Sequence, residues 1–338
     1  METKPRYEFI DLAKGICIIL VVFMHVVGKP FPEPINLMLK SFRMPLYFIL
    51  SGMFFSLYDG FLHFVIKKTN KLLIPFLTFA ILGYVLLNTK SLLLGYNPRW
   101  NVFSPLFRYN FPLWFLPCLF ECGTVFYLLV KISQLCKRGS IYVLCSISIL
   151  LGFLGFMFGR WNIQLPILLG QSLLGLPFFA FGYVLRKHTD FLSSNYNNGI
   201  CILTAAVLML LTLCTAKYSA VDIATCGVND RYFVPYLWGG VIGTMSILLV
   251  SKVVVKLPFV SYIGRYSICV LVTHYLFNEL FFVSLCNLLN DYMPSVPMVV
   301  WKLCSFVLII LSYIVIIPFM LKYMPHVCAQ KDVIKYNG

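Results

Sequence analysis

The 338-residue chain is 60% hydrophobic and only 12% charged, with a mean hydropathy of +0.87, which excludes an ordinary soluble domain, where about a quarter of residues are charged. A net charge of +15 would suit a nucleic-acid binder in a soluble protein, but these charges sit in short blocks between apolar runs, as the basic loops of a membrane protein do. The twelve cysteines fall mostly within apolar stretches, without a C-x-x-C pair, and read as small core hydrophobes rather than a disulfide or zinc framework.

Each spanning helix needs about 20 mostly apolar residues. Apolar runs fall near residues 11–28, 44–58, 71–88, 111–130, 141–158, 164–185, 198–216, 234–250, 259–284 and 299–321. They predict an all-α, polytopic membrane helix bundle of about ten transmembrane helices, since barrel strands would be about half as long and would alternate polar with apolar residues. With the N-terminus placed in the cytoplasm, 17 of the 27 lysines and arginines lie on that side, so both termini are expected to be cytoplasmic. One integral-membrane domain is expected over 1–338, with short cytoplasmic tails at 1–10 and 322–338. Gly28-Lys29-Pro30 rather than a small-residue cleavage site follows Val27, so the first run reads as a retained span.

That first span carries Asp11, Lys14 and His25. At 100° per residue, Lys14 and His25 differ by about 20° around a helix and by about 16 Å along it, and Asp11 stays within about 60° of both. Lys14 is then expected at the cytoplasmic mouth and His25 near the outer leaflet. A neutral imidazole there can serve as general base toward a hydroxyl; the plainer alternative is a helix-interface histidine. Arg43 enters the second span from the outer side, where it either holds a developing oxyanion or anchors the helix at the interface. Lys68 and Lys71 open the third span on the cytoplasmic side, an ordinary topology signal unless they meet Lys14.

Further along, Trp114 and Glu121 are expected to share a face of the fourth span, with Pro117 as a kink between them. Glu121 then lies about 15 Å into the bilayer, where a carboxylate is paired or neutral, either at a site or in a bond between helices. Ser267 and His274 share a face of the ninth span; His274 reads first as a packing residue and second as a base or substrate contact. Arg99 and Trp100, in the outer loop near 89–110, mix a cation and a ring suited to a sugar, although interfaces also collect tryptophan as anchors. His63, His188 and His326 lack metal-ligand spacing, so no metal site is expected.

Taken together, Lys14-x10-His25, the stretch Phe42-Arg43-Met44-Pro45-Leu46-Tyr47-Phe48-Ile49-Leu50-Ser51-Gly52, Lys68-x-x-Lys71 followed by Pro75, Trp114-Phe115-Leu116 and Ser267 with His274 resemble the membrane acyltransferase family 3. The resemblance implies a ten-helix bundle in a plasma (inner) membrane, of bacterial type. It implies a membrane O-acyltransferase, an O-acetyltransferase above all, that takes its acyl group from cytoplasmic acetyl-CoA or another acyl-CoA. The acceptor would be a hydroxyl of a cell-surface polysaccharide or lipid-linked glycan. By the same likeness His25 matches the essential histidine, and Lys14, Lys68 and Lys71 match basic positions that meet the coenzyme phosphates; lysine does so as a point charge, without arginine's bidentate fork. The expected catalytic set is therefore His25 with Arg43, Asp11 and Glu121. Trp114, Trp100, Arg99 and His274 are expected to face the acceptor. A reading from another class is a transporter or exporter of polysaccharide or lipid-linked glycan, with the polar face as its path. Glycan-dependent consumption of acyl-CoA separates the two.

Overall fold

The computed structural model describes residues 6–96, 111–135, 140–194 and 196–336. In chain order these form α1 (Glu8–Val26), α2 (Glu33–Met53), α3 (Phe61–Lys68), α4 (Ile74–Leu93), α5 (Phe115–Gln134), α6 (Ser140–Arg160), α7 (Leu169–Lys187), α8 (Asn198–Ser219), α9 (Phe233–Val254), α10 (Pro258–Arg265), α11 (Ser267–Phe277), α12 (Val283–Tyr292) and α13 (Met298–Tyr323). Single π turns, Thr69–Leu73 and Asn278–Phe282, join α3 to α4 and α11 to α12, so that Phe61–Leu93 and Ser267–Tyr292 are continuous rods. Among the described residues there is no strand, only an isolated antiparallel bridge between Asp222 and Gly227. The fold is all-α, as the apolar runs predict.

Among the described residues, eight helices are long and apolar enough to cross a membrane: α1, the α3–α4 rod, α5 with its preceding turn, α6, α8, α9, the α11–α12 rod and α13. Two of the ten expected spans, α2 and α7, have spanning length at 21 and 19 residues but are less apolar. The physical reason is visible in α7, where 13 of 19 residues are buried in protein. A helix shielded from lipid can carry Gln171 and Ser172 without exposing them to hydrocarbon. α2 also begins earlier than the run at 44–58 suggests. Pro34 lies in its first turn, where a missing N–H breaks no helical bond, so Lys40 and Arg43 are helical rather than loop residues.

The chain forms two compact units. The first comprises residues 1–17, 31–64 and 118–265 and is organised around α2, which packs on α7, α8 and α9. Its core is aromatic: rings of Phe55, Phe126, Phe179 and Tyr183 lie with centroids 4.9–6.0 Å apart, mostly in the edge-on arrangement that such rings prefer, with Phe126 and Phe179 tilted to one another. The α2–α7 crossing is set by two glycines. A Cβ at Gly52 would stand 1.9 Å from the Phe179 carbonyl oxygen, and one at Gly182 would stand 1.9 Å from that of Ile49. Only a residue without a side chain lets the backbones approach so closely. Buried hydroxyls supply the polar links, as in Ser41 to Ser219 at 2.8 Å and Tyr236 to the Leu174 carbonyl at 2.9 Å.

The second unit comprises residues 18–30, 65–117 and 266–338. Here Tyr313 of α13 lies 3.0 Å from Thr273 of α11, and Cys286 of α12 lies 3.1 Å from Ser305 of α13. After α13 the tail returns to the π turn at the head of α4. The side-chain oxygen of Asn70 accepts the Val333 and Ile334 N–H groups at 2.8 and 2.9 Å, its amide donates to the Ile334 carbonyl at 2.8 Å, and Lys67 pairs with Asp332 at 2.6 Å.

Candidate functional site

α1 is a predominantly apolar run free of proline, with acidic residues in its first turn, where the positive end of the helix dipole favours them. It carries Asp11 and Lys14 in the first unit and His25 in the second. Asp11 is buried and accepts from Arg6 Nε at 2.8 Å. Behind it the backbone is closely covered, since a Cβ at Gly264 would meet the Asp11 carbonyl oxygen at 1.8 Å. Asp11 is therefore tied into a local ion pair.

Lys14 Nζ lies 5.3 Å from the ring centre of Phe54, just past the end of α2, and the Arg186 guanidinium carbon lies 4.9 Å from the same centre. The Lys14 carbonyl accepts from Tyr47 at 3.4 Å. Lys68 ends α3, and Lys71 lies on the π turn beside Asn70; these two belong to the second unit, Lys14 to the first. Arg43 belongs to the first unit, where its carbonyl accepts from the Cys17 thiol at 3.0 Å, and Lys40 one turn earlier pairs with Asp222 at 3.0 Å.

In the second unit His25 is half-buried and its ring centre lies 5.4 Å from that of His274 and 6.1 Å from that of Tyr275. His274 is fully buried. Its Nδ1 is 3.0 Å from the Val270 carbonyl oxygen. A carbonyl can only accept, so Nδ1 carries the proton and Nε2 the lone pair. That Nε2 has no hydrogen-bond partner among the described residues. The Asn278–Phe282 π turn begins four residues further on, and single π turns inside helices recur at functional sites.

Glu121 lies in the first unit and links α5 to α7: its carboxylate oxygens are 3.4 Å from the Leu168 N–H and 3.2 Å from the Ser172 hydroxyl. Trp114 is in the second unit, buried and edge-on to Phe115 at 5.8 Å, on a 3-10 turn that precedes α5. Trp114 and Glu121 therefore lie on different elements rather than on one helix, and Pro117 is not interior to that helix. Pro117 falls in the first turn of α5, where no N–H is required by the helix. Arg99 and Trp100 lie outside the described residues.

Sequence reasoning passed over Phe54, Arg186 and Asn70. A basic residue at a helix end, as Arg186 is, carries the ordinary signature of a membrane-protein loop, and Phe54 is one of 31 phenylalanines. Asn70 offers a usable sign, a carboxamide at the head of an apolar run.

The second unit holds two imidazoles side by side, and the first gathers Lys14 and Arg186 about the Phe54 ring. A search of curated proteins and one of solved structures each found no match. A family model described as an acyltransferase domain matches residues 7–321, a range that takes in Lys14, His25, Lys68, Lys71 and His274. The chain is a multi-pass membrane protein that belongs to the membrane acyltransferase family 3.

Proposed function

We propose that the protein is an O-acetyltransferase that moves an acyl group from cytoplasmic acyl-CoA to a hydroxyl of a cell-surface polysaccharide or lipid-linked glycan. The observation that carries the reading is His25, a half-buried imidazole paired with His274 at 5.4 Å between ring centres on the helix that also carries Lys14. Eleven residues of α1 separate Lys14 from His25, a rise of about 16 Å. Phosphates of a coenzyme are too polar to enter hydrocarbon cheaply, so they stay at the basic end while the thin pantetheine arm reaches toward the histidine.

In the reaction, His25 takes the proton of the acceptor hydroxyl as its oxygen attacks the thioester carbonyl carbon. The carbon–sulfur bond then breaks, and the leaving thiolate collects that proton from the imidazolium, so the products are the ester and free coenzyme thiol. His274, its ring packed beside that of the base, limits how the base can turn by contact alone.

The test is His25→Ala in the purified full-length protein. Acyl transfer falls by about 10²–10⁴-fold, the usual worth of a positioned base, while membrane abundance and acyl-CoA binding stay near the parent's. A variant that retains parental transfer removes His25 from the chemistry.

A further inference from the structure

At the end of α2 and α7 lies a cavity of about 200 Å³ lined by Met53, Phe54, Phe55, Ser56, Tyr183, Arg186 and Lys187. The α2–α7 crossing described above brings it about. With Gly52 and Gly182 pressed on the opposing backbones, the last turn of α7 is carried against the residues that follow α2. Arg186 then donates to the Met53 carbonyl at 3.0 Å, which uses one of its five N–H groups.

The chemistry of the lining is one-sided. Among the described residues, two cations face the cavity and no carboxylate does. None of the ion pairs among the described residues includes Arg186 or Lys187. A third cation, Lys14, stands over the same Phe54 ring as Arg186, both within 5.3 Å of its centre. Basic residues at the C-terminus of α7 complement the helix dipole, but that purpose needs neither a cavity nor convergence on one ring from a second helix. Arg186 and Lys187, adjacent at the end of one helix and both lining the cavity, repel one another, and an anion between them relieves that repulsion. Phe54 is 37% exposed, so the approach is open. The volume admits one headgroup-sized anion rather than a whole nucleotide.

We infer that the Phe54–Arg186–Lys187 cavity binds a phosphoryl group. On the donor reading proposed above, on which this assignment of its occupant rests, that group belongs to the acyl-CoA, with Arg186 supplying the directed fork that a lysine such as Lys14 lacks. The phosphate of an anionic lipid has the same chemistry and is the other source.

The experiment uses the full-length protein in neutral phosphatidylcholine nanodiscs. Binding of coenzyme A and of 3′-dephospho-coenzyme A is measured calorimetrically for the parent, Arg186→Gln and Lys187→Gln. A parallel arm measures retention of phosphatidylglycerol by native mass spectrometry. Each substitution is expected to weaken coenzyme A about tenfold, and high salt should narrow the difference. If dephospho-coenzyme A loses less, the 3′-phosphate is the group held; an equal loss assigns the diphosphate. Loss of phosphatidylglycerol alone supports the cavity and assigns it to lipid. Parental affinity for both ligands in both variants overturns the inference. Because Arg186 also holds the Met53 carbonyl, Arg186→Gln could fail to fold; Lys187, exposed and set over Tyr183 at 5.0 Å, then decides the question. A parent that binds no coenzyme A overturns the donor reading, while the lipid arm still judges the cavity.

Discussion

His274 makes a specific demand on its surroundings. With Nδ1 committed to the Val270 carbonyl, the ring cannot turn over without leaving that oxygen and its own N–H to find other partners, so its lone pair is held toward one side. A residue that orients a base differs from the base itself in its kinetic signature. His274→Phe should lower kcat by about a hundredfold, as a misplaced group does, and should leave the affinity for coenzyme A unchanged. Equal kcat in parent and variant would return His274 to packing. Glu121 belongs to a different class of effect. Its contacts with the Leu168 N–H and Ser172 tie two helices together, and Glu121→Ala should cost about 1–3 kcal/mol of stability for the groups left unpaired, read as a lower melting temperature. A variant that melts normally yet transfers nothing would restore Glu121 to the site. Cys226, in the loop between α8 and α9, offers a pH test. Burial, with a further push from Asp222, lifts its thiol from the ordinary range to about 11. The thiol therefore stays protonated at neutral pH, and maleimide labelling should be slow at pH 7 and rise steeply only above pH 10.

The helices show where reading a sequence succeeds and where packing takes over. Long apolar runs such as those of α1, α6, α8 and α13 are legible because lipid demands the same character over a whole span. α2 and α7 are harder, since their neighbours rather than lipid decide what they tolerate. The spacing of Lys14 and His25 on α1 needs only helical periodicity and survives unchanged. Arg186 and Phe54, 132 positions apart in the chain, meet only through the α2–α7 crossing, and no local pattern announces that. Neither are the π turns legible. Asn70 and Asn278, buried within them, sit in runs whose apolar character continues on both sides. The crossing itself makes a sharp prediction. Gly182→Leu must displace the Ile49 backbone, and overpacking of this kind costs about 1–3 kcal/mol or more. Membrane abundance should fall, and coenzyme A binding by any surviving protein should weaken, because the cavity is built by the same approach. Normal abundance and binding would show that α2 and α7 adjust freely.

For the molecule as a whole, the distribution of basic residues and the proposed even number of spans require both ends on one side of the membrane. Reporter fusions after Arg138 and after Lys335 should both report cytoplasm; opposite locations would exclude ten spans. The second of these fusions begins one residue beyond Ile334, whose backbone is held by Asn70, so a flexible spacer belongs before the reporter. The same clamp sets a timetable for synthesis. Asn70 enters the membrane early, but its partners at Val333 and Ile334 come more than 260 residues later, about 13–50 s at ribosomal rates of roughly 5–20 residues per second. Throughout that interval a carboxamide destined for burial waits without its final bonds, and a chain ended prematurely never acquires them. Nascent protein that stops at residue 330 should therefore be removed by membrane proteases, and Asn70→Leu in that same shortened chain should restore much of its lifetime, because the group in need of partners has gone.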